Sequence, residues 1–331
     1  MSRSYLVTGG AGFIGSHLVE ALLERGERVV AFDNLSTGRL RNLDHLGSHP
    51  NLTFVQGSVL DELAVDRLMH QCEAVVHLAA AVGVRLIVDE PLHSFTTNIR
   101  GSEIVIESAF RHRRPILLAS TSEIYGKNTD VPLKEDDDRV LGSPTIARWA
   151  YSTAKAVDEI LAYAYHRERG LPTTVVRLFN TVGARQSPAY GMVIPRLVRQ
   201  AVAGEPLTIY GDGMQSRCFC HVSDVVRGLL GLLDNPHAVG GVFNVGSQEE
   251  ISILGLARKV IELTGSSSQI QLIPYEKAFP AGFEDMQRRL PSIDKIRGLT
   301  GWQPTRTLDD ILAETIAEAA AEHAAHLAGS I

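Results

Sequence analysis

Tyr151-Ser152-Thr153-Ala154-Lys155 sets a phenol and an ammonium four residues apart at the start of a predicted helix, which puts both on one face. A free tyrosine titrates near ~10, so acting as a base at neutral pH requires a drop of ~3 units. The Lys155 ammonium and an oxidised nicotinamide would each favour the phenolate. A second stretch also has residues that could move protons. Ala119-Ser120-Thr121-Ser122-Glu123-Ile124-Tyr125-Gly126 follows the apolar strand run Pro115–Leu118. Glu123 is there either as a proton-transfer group or as a cap bonding the backbone N–H groups of the turn.

A nicotinamide needs a cradle, and Thr8-Gly9-Gly10-Ala11-Gly12-Phe13-Ile14-Gly15 has the residues for one. Gly9, Gly12 and Gly15 recur every third residue where a predicted strand turns into a predicted helix. Glycines there let the backbone approach a pyrophosphate at the helix N-terminus, and Phe13 and Ile14 open that helix. Asp33 ends the next predicted strand, 18 residues beyond Gly15. A carboxylate there bonds the ribose hydroxyls and repels a 2′-phosphate, which favours NAD over NADP. Arg39 and Arg41, just downstream, work against that preference.

The elements that must position these groups alternate. Strands are expected at Tyr5–Val7, Arg28–Phe32, Leu52–Val55, Ala74–Leu78, Pro115–Ala119 and Thr173–Leu178; helices at Phe13–Arg25, Leu63–Gln71, Thr97–Arg111 and Tyr151–Arg167. Alternating β and α with continuously apolar strands means an α/β fold, a Rossmann-like doubly wound parallel sheet. Past Phe179 the rhythm breaks, and Gly and Pro cluster around 183–195, 204–213 and 279–283. We therefore expect a dinucleotide-binding domain over 1–178 and a smaller α/β substrate-binding lobe over 179–331. A strand at Val242–Val245 would return to the first domain, and the tail Leu308–Leu327 reads as an Ala-rich helix.

Composition narrows the function further. The 331 residues are 44% hydrophobic and 21% charged, with a net charge of −6, so there is no electrostatic footprint for nucleic acid. No apolar run approaches the ~20 residues that span a bilayer. Met1-Ser2-Arg3-Ser4 leads straight into a strand and does not read as a signal peptide. Three cysteines, Cys72, Cys218 and Cys220, suggest a reduced, cytoplasmic protein. Cys218-Phe219-Cys220-His221 is not expected to bind metal, because the thiols would share one strand face and no second ligand pair is evident.

Together these residues resemble the extended short-chain dehydrogenase/reductases that modify nucleotide sugars. The marks are the glycine triplet, Asp33-Asn34 before Ser36-Thr37-Gly38, His77-Leu78-Ala79-Ala80, Asn98, Thr121, Tyr151 with Lys155, Arg177-Leu178-Phe179-Asn180, Leu207–Gly211 and Arg217. The resemblance implies a triad of Thr121, Tyr151 and Lys155 for hydride transfer. Asn34, Ser36, Thr37, Gly38, Leu78, Ala79, Ala80 and Asn98 would line the cofactor. Asn180, Tyr210 and Arg217 would hold a nucleotide diphosphate. It also implies a homodimer through the helices near 97–111 and 151–167. The family often has an aspartate near the adenine where this chain has Gly57-Ser58, so Ser58 and Val59 would make a weaker contact there.

The shared first step in the family moves hydride from the sugar C4 to NAD, and Glu123 bears on the second. Family 4-epimerases resemble Ser-Ala-Thr or Ser-Ser-Val at Thr121-Ser122-Glu123, and 4,6-dehydratases show Asp-Glu at Ser122-Glu123. UDP-glucuronate decarboxylases look like Thr-Ser-Glu, as here. GDP-mannose dehydratases can share that triplet but favour NADP, against Asp33. Arg289-Leu290-Pro291-Ser292-Ile293 is similar to a decarboxylase segment, which implies that Arg289 contacts substrate. The expected activity is decarboxylation of UDP-glucuronate: C4 oxidation makes the C6 carboxylate a β-keto acid, carbon dioxide leaves, and Tyr151 stabilises the enolate. Ser122, Glu123 and Arg217 would flank the sugar, and a negative Glu123 would raise the energy of the substrate carboxylate. A 4-epimerase, a 4,6-dehydratase and a non-catalytic NAD sensor are the alternatives.

Overall fold

A computed structural model describes residues 2–83, 90–187, 192–279 and 284–327. Parts of two Gly- and Pro-rich stretches, 188–191 and 280–283, lie outside the described residues. The first half alternates as β1 Ser4–Thr8, α1 Phe13–Glu24, β2 Arg28–Asp33, β3 Leu52–Gln56, α2 Glu62–Gln71, β4 Ala74–His77, α3 Pro91–Arg111, β5 Ile116–Thr121, α4 Ala150–Arg169 and β6 Thr173–Leu178. Helix α3 starts at Pro91 and not at Thr97. Proline has no N–H to lose at a helix's first turn, so it opens the helix ahead of the apolar periodicity.

The central sheet has seven strands in the order Val242–Val245, β6, β5, β4, β1, β2, β3, and every neighbouring pair is parallel. Strand β1 is buried along its whole length, as a central parallel strand must be. Its side chains alternate between two cores. Tyr5 and Val7 join Leu18, Leu22, Val225 and Leu229 on one face; Leu6 joins Met69, Val75, Ile104 and Val105 on the other. Helices α2, α3 and α4 cover the second face, while α1 and helix Val222–Leu233 cover the first.

A third core belongs to the smaller lobe, where helices Val193–Val202, Ile253–Thr264 and Leu308–Leu327 enclose Leu197, Ile209, Leu256 and Leu312. The Cys218 and Cys220 thiols are free and buried in two separate short strands, Ser216–Cys218 and Cys220–His221. They do not share a single strand as the spacing suggested. Among the described residues no helix is long and apolar enough to cross a membrane. The chain order of the sheet reverses between β1 and β4, and such a switch point opens a crevice at the carboxyl ends of the strands. Thr8, Asp33, His77 and Thr121 are the last residues of their strands there.

Candidate active site

The crevice continues into a cleft of about 1710 Å³ between the sheet and the smaller lobe. At its cofactor end the glycine turn fits closely. Gly9 has φ +70°, and a Cβ on Gly15 would stand 2.0 Å from the Gly9 carbonyl oxygen. Helix α1 starts without a side-chain cap, so its first N–H groups are available to a phosphate. Phe13 and Ile14 line the cleft beside Gly9, Gly12 and Gly15.

Asp33 accepts the Ala11 N–H at 3.1 Å and the Leu35 N–H at 2.7 Å, binding the glycine turn to the loop after β2. Burial pushes its carboxyl above the ordinary value, against the pull of these N–H groups. Asn34, Ser36 and Thr37 line the same end. Gly38 does not; it is packed behind Asp33, where a Cβ would come within 2.8 Å of both carboxylate oxygens. Val59 reaches the cleft, while the Ser58 hydroxyl accepts the Leu60 N–H at 3.2 Å. Leu78, Ala79 and Ala80 form a wall, and buried Asn98 holds it from behind through both backbone groups of Ala81, at 2.8 and 3.1 Å.

In the middle of the cleft stand Thr121, Glu123, Tyr151 and Lys155. Helix α4 carries the last two on its buried face. The Thr121 hydroxyl accepts the Glu123 N–H at 3.2 Å, so Thr121 is the residue that caps this turn. Lys155 donates to Asp158 at 2.9 Å within the helix. Burial raises the Tyr151 phenol well above its ordinary value, the Glu123 and Asp158 carboxylates add to this, and Arg289 opposes them.

Beside Tyr151 charges alternate along a line. Arg217 meets Asp285 at 2.9 Å, Asp285 meets Arg148 at 3.6 Å, Arg148 meets Glu123 at 2.5 Å, and Glu123 meets Arg289 at 3.6 Å. Arg289 also donates to the Ser122 hydroxyl, which lies behind the cleft wall. Three guanidiniums against two carboxylates leave one positive charge uncompensated. Burial and the neighbouring Arg217 and Arg148 push Arg289 down to about 10, although Glu123 supports its charge. Burial pushes the Glu123 carboxyl up, but Arg148 and then Arg289 outweigh it and hold the group below its ordinary value. The idea that Glu123 destabilises a substrate carboxylate by repulsion is therefore weakened, because Arg148 neutralises it. Further out, Asn180 donates to the Cys218 carbonyl at 3.0 Å, and the Arg196 guanidinium lies 4.6 Å from the centre of the Tyr210 ring.

Residues 5–246 match the model of the NAD dependent epimerase/dehydratase family. The chain belongs to that family. Within the family it is 39% identical over 317 residues to a UDP-N-acetyl-alpha-D-glucosaminuronate decarboxylase of Bacillus cytotoxicus, covering 96% of this chain and 97% of the relative. It is 36% identical to UDP-glucuronic acid decarboxylase 1 of Danio rerio, covering 95% of this chain and 72% of the relative. The crystal structure of a UDP-glucuronic acid 4-epimerase from Bacillus cereus, in complex with UDP-glucuronic acid and NAD, superposes with a TM-score of 0.86 at 28% identity, over 96% of this chain and 98% of that one.

As a member of the NAD dependent epimerase/dehydratase family the protein is an NAD-dependent enzyme acting on nucleotide sugars. Three charged residues that the structure brings to or next to this candidate site were not singled out in the sequence: Arg148 and Asp285 in the cleft, and Asp158 behind it on Lys155. Arg148 sits in the short turn Ala147–Trp149, which has no periodicity to mark it. In the sequence it is simply an arginine three residues before Tyr151; only the fold shows that it is buried.

Proposed function

We propose that the protein decarboxylates a UDP-linked hexuronic acid. The reading rests on the uncompensated positive charge in the line Arg217–Asp285–Arg148–Glu123–Arg289, which one substrate carboxylate would balance. A sugar with a neutral C6 hydroxyl would leave that charge buried and unmatched. Two of the similar proteins act, by name, on sugars of this kind. NAD, when bound, supplies the hydride acceptor and later the hydride donor. Gly9, Gly12 and Gly15 would admit its pyrophosphate, and Asp33 would meet a ribose.

Tyr151 takes the proton of the C4 hydroxyl as base, and Thr121 and Lys155 orient the two partners. Arg289 and Arg217 hold the C6 carboxylate. Once C4 is a ketone, the C5–C6 bond breaks, its electron pair enters the carbonyl system, and carbon dioxide leaves. C5 takes a proton from solvent to give the C4 ketone, Tyr151 returns its proton to O4 as hydride returns to C4, and the sugar is left one carbon shorter. Glu123 stays ionised and keeps Arg148 and Arg289 aimed. A 4-epimerase acting on the same acid would also need the carboxylate pocket, and the Bacillus cereus structure keeps that second reading open.

Incubation with UDP-glucuronate, UDP-N-acetylglucosaminuronate and UDP-glucose, followed by mass spectrometry and NMR, separates these readings. Loss of carbon dioxide from either acid supports ours; an unchanged mass with an inverted C4 signal replaces it with epimerisation. We further propose a homodimer, because α3 and α4 pack side by side and expose Leu92, Phe95, Ile160 and Tyr163. Light scattering that finds only monomer at micromolar concentration would refute this pairing.

A further inference from the structure

A chain of buried side chains runs from Lys155 away from the substrate. Lys155 Nζ donates to Asp158 Oδ2 at 2.9 Å, and Ser102 Oγ donates to the same oxygen at 2.8 Å. His77 Nε2 lies 3.1 Å from Ser102 Oγ, and His77 Nδ1 lies 2.7 Å from Thr8 Oγ1. Thr8 Oγ1 in turn accepts the backbone N–H of Ala79 at 3.3 Å. All five side chains belong to residues no more than 2% exposed. The contacts join α4, α3, β4 and β1 to the loop that walls the cofactor end of the cleft.

The two ends of the chain set its direction. An ionised carboxylate only accepts, so the Ser102 proton goes to Asp158 and Ser102 accepts from His77 Nε2–H. A backbone amide only donates, so Thr8 accepts from Ala79 and still has its own proton to give to His77 Nδ1. Ser102 thus fixes a proton on His77 Nε2, and with the ring neutral its Nδ1 accepts from Thr8. Burial first, and the Lys155 ammonium second, lower His77 to about 3, in keeping with this. The adjacent carboxylate, Glu159, cannot substitute for Asp158, because Arg177 occupies it at 2.8 Å.

We propose that Asp158 is a positioning residue: it locks Lys155 beside Tyr151, sets the charge there, and ties both to the cofactor wall through Ser102, His77 and Thr8. This rests on Tyr151 being the base for the sugar hydroxyl. Among the described residues, the ionisable groups acting on the Tyr151–Lys155 pair are Glu123 from the turn after β5, which Arg148 pairs, Arg289 from the segment after residue 284, His77 from β4 and Asp158 from α4 itself. Helix α3 contributes only the neutral Ser102 to the chain. Of these groups Asp158 alone compensates the lysine directly. The Asp158 carboxylate also pushes the Tyr151 phenol up, so removing its charge lets the phenolate form at lower pH.

The test is the pH profile of single-turnover reduction of bound NAD by UDP-glucuronate, for wild type, Asp158→Asn, Ser102→Ala and Ser102→Thr. Asp158→Asn should move the acid limb down by ~1 unit while the KM for the sugar stays near wild type. Ser102→Ala keeps the ion pair, so its limb should not move, but its NAD affinity should fall several-fold, and Ser102→Thr should restore it. A purely structural role for Asp158 would lower the melting temperature and leave the limb in place, which would overturn the proposal. Independently of turnover, ¹⁵N NMR of histidine-labelled protein should show His77 as the neutral Nε2–H form across pH 5.5–8. An Nδ1–H form would refute the chain even if the sugar chemistry were as proposed. If wild type reduces no NAD with either acid, the functional reading fails and the NMR result alone decides the chain.

Discussion

Arg148 and Glu123 form an ion pair between the short turn before α4 and the turn after β5, with Nη1 and Oε2 2.5 Å apart and both residues buried. Breaking a buried pair from one side leaves a charge that water cannot reach, at a typical cost of ~3–5 kcal/mol. Arg148→Met should therefore destabilise the protein by about 3 kcal/mol in urea unfolding at pH 7.5. Glu123 would then keep only the longer contact to Arg289 at 3.6 Å, and the loss should shrink in Arg148→Met/Glu123→Gln, where that ionised carboxylate is gone. Full additivity of the two changes would mean that the pair is not a unit.

Asp33 has two duties. Its carboxylate is placed for a ribose, and it also satisfies the N–H groups of Ala11 and Leu35. Asp33→Ala should weaken NAD binding and narrow the preference over NADP. It should also cost ~1–3 kcal/mol for the orphaned donors. Titration of both cofactors into the variant checks the first effect and thermal unfolding checks the second. A wild type that prefers NADP would remove the ribose role from Asp33.

Much of this frame could be read from the chain in advance, and the physical reason differs by element. Strands such as Leu6–Val7 and Val75–Val76 are buried on both faces, so an unbroken apolar run is their signature. Gly9 and Gly15 announced a close approach that the fold then requires. The charge line did not show itself. Arg148 and Glu123 are 25 residues apart, Arg217 and Asp285 are 68 apart, and no local pattern records such meetings. Asp158 and Glu159 look alike on a helix wheel. Only the packing of α4 against α3 and β6 gives one to Lys155 and the other to Arg177.

Acid should unfold the protein in a particular order. His77 is held neutral, at about 3, by burial and then by Lys155, so the unfolded chain binds its proton more tightly than the folded one does. Its contribution to stability is complete above ~6.5 and is lost as the pH falls, at up to ~1.4 kcal/mol per unit. His17, lowered mainly by burial, acts in the same direction. Glu123 lies below its ordinary value and joins only beneath ~4.3. Urea unfolding between pH 8 and pH 4.5 should therefore show stability falling from about 6.5 downward, with a shallower slope in His77→Gln. A flat profile across that window would show that His77 is not buried neutral.

Glu123→Gln separates the reactions that this site could run. Glutamine keeps the shape of the side chain and removes its charge. It would leave Arg148 and Arg289 without their shared counter-ion, and the cap of the turn would survive, because Thr121 provides it. The charge line would then carry two uncompensated positive charges where the wild type carries one. A hexuronate should still bind and still reduce NAD, visible by absorbance. Release of carbon dioxide should slow by ~10²-fold or more, since the arginines that hold the carboxylate would be misaligned during the step in which it departs. In a 4-epimerase the carboxylate stays on the sugar and no bond to it breaks, so misaligned arginines should raise KM while turnover at saturating sugar stays within a few-fold of wild type. Accumulation of NADH with little carbon dioxide released supports the decarboxylase; undiminished turnover would transfer the site to epimerisation.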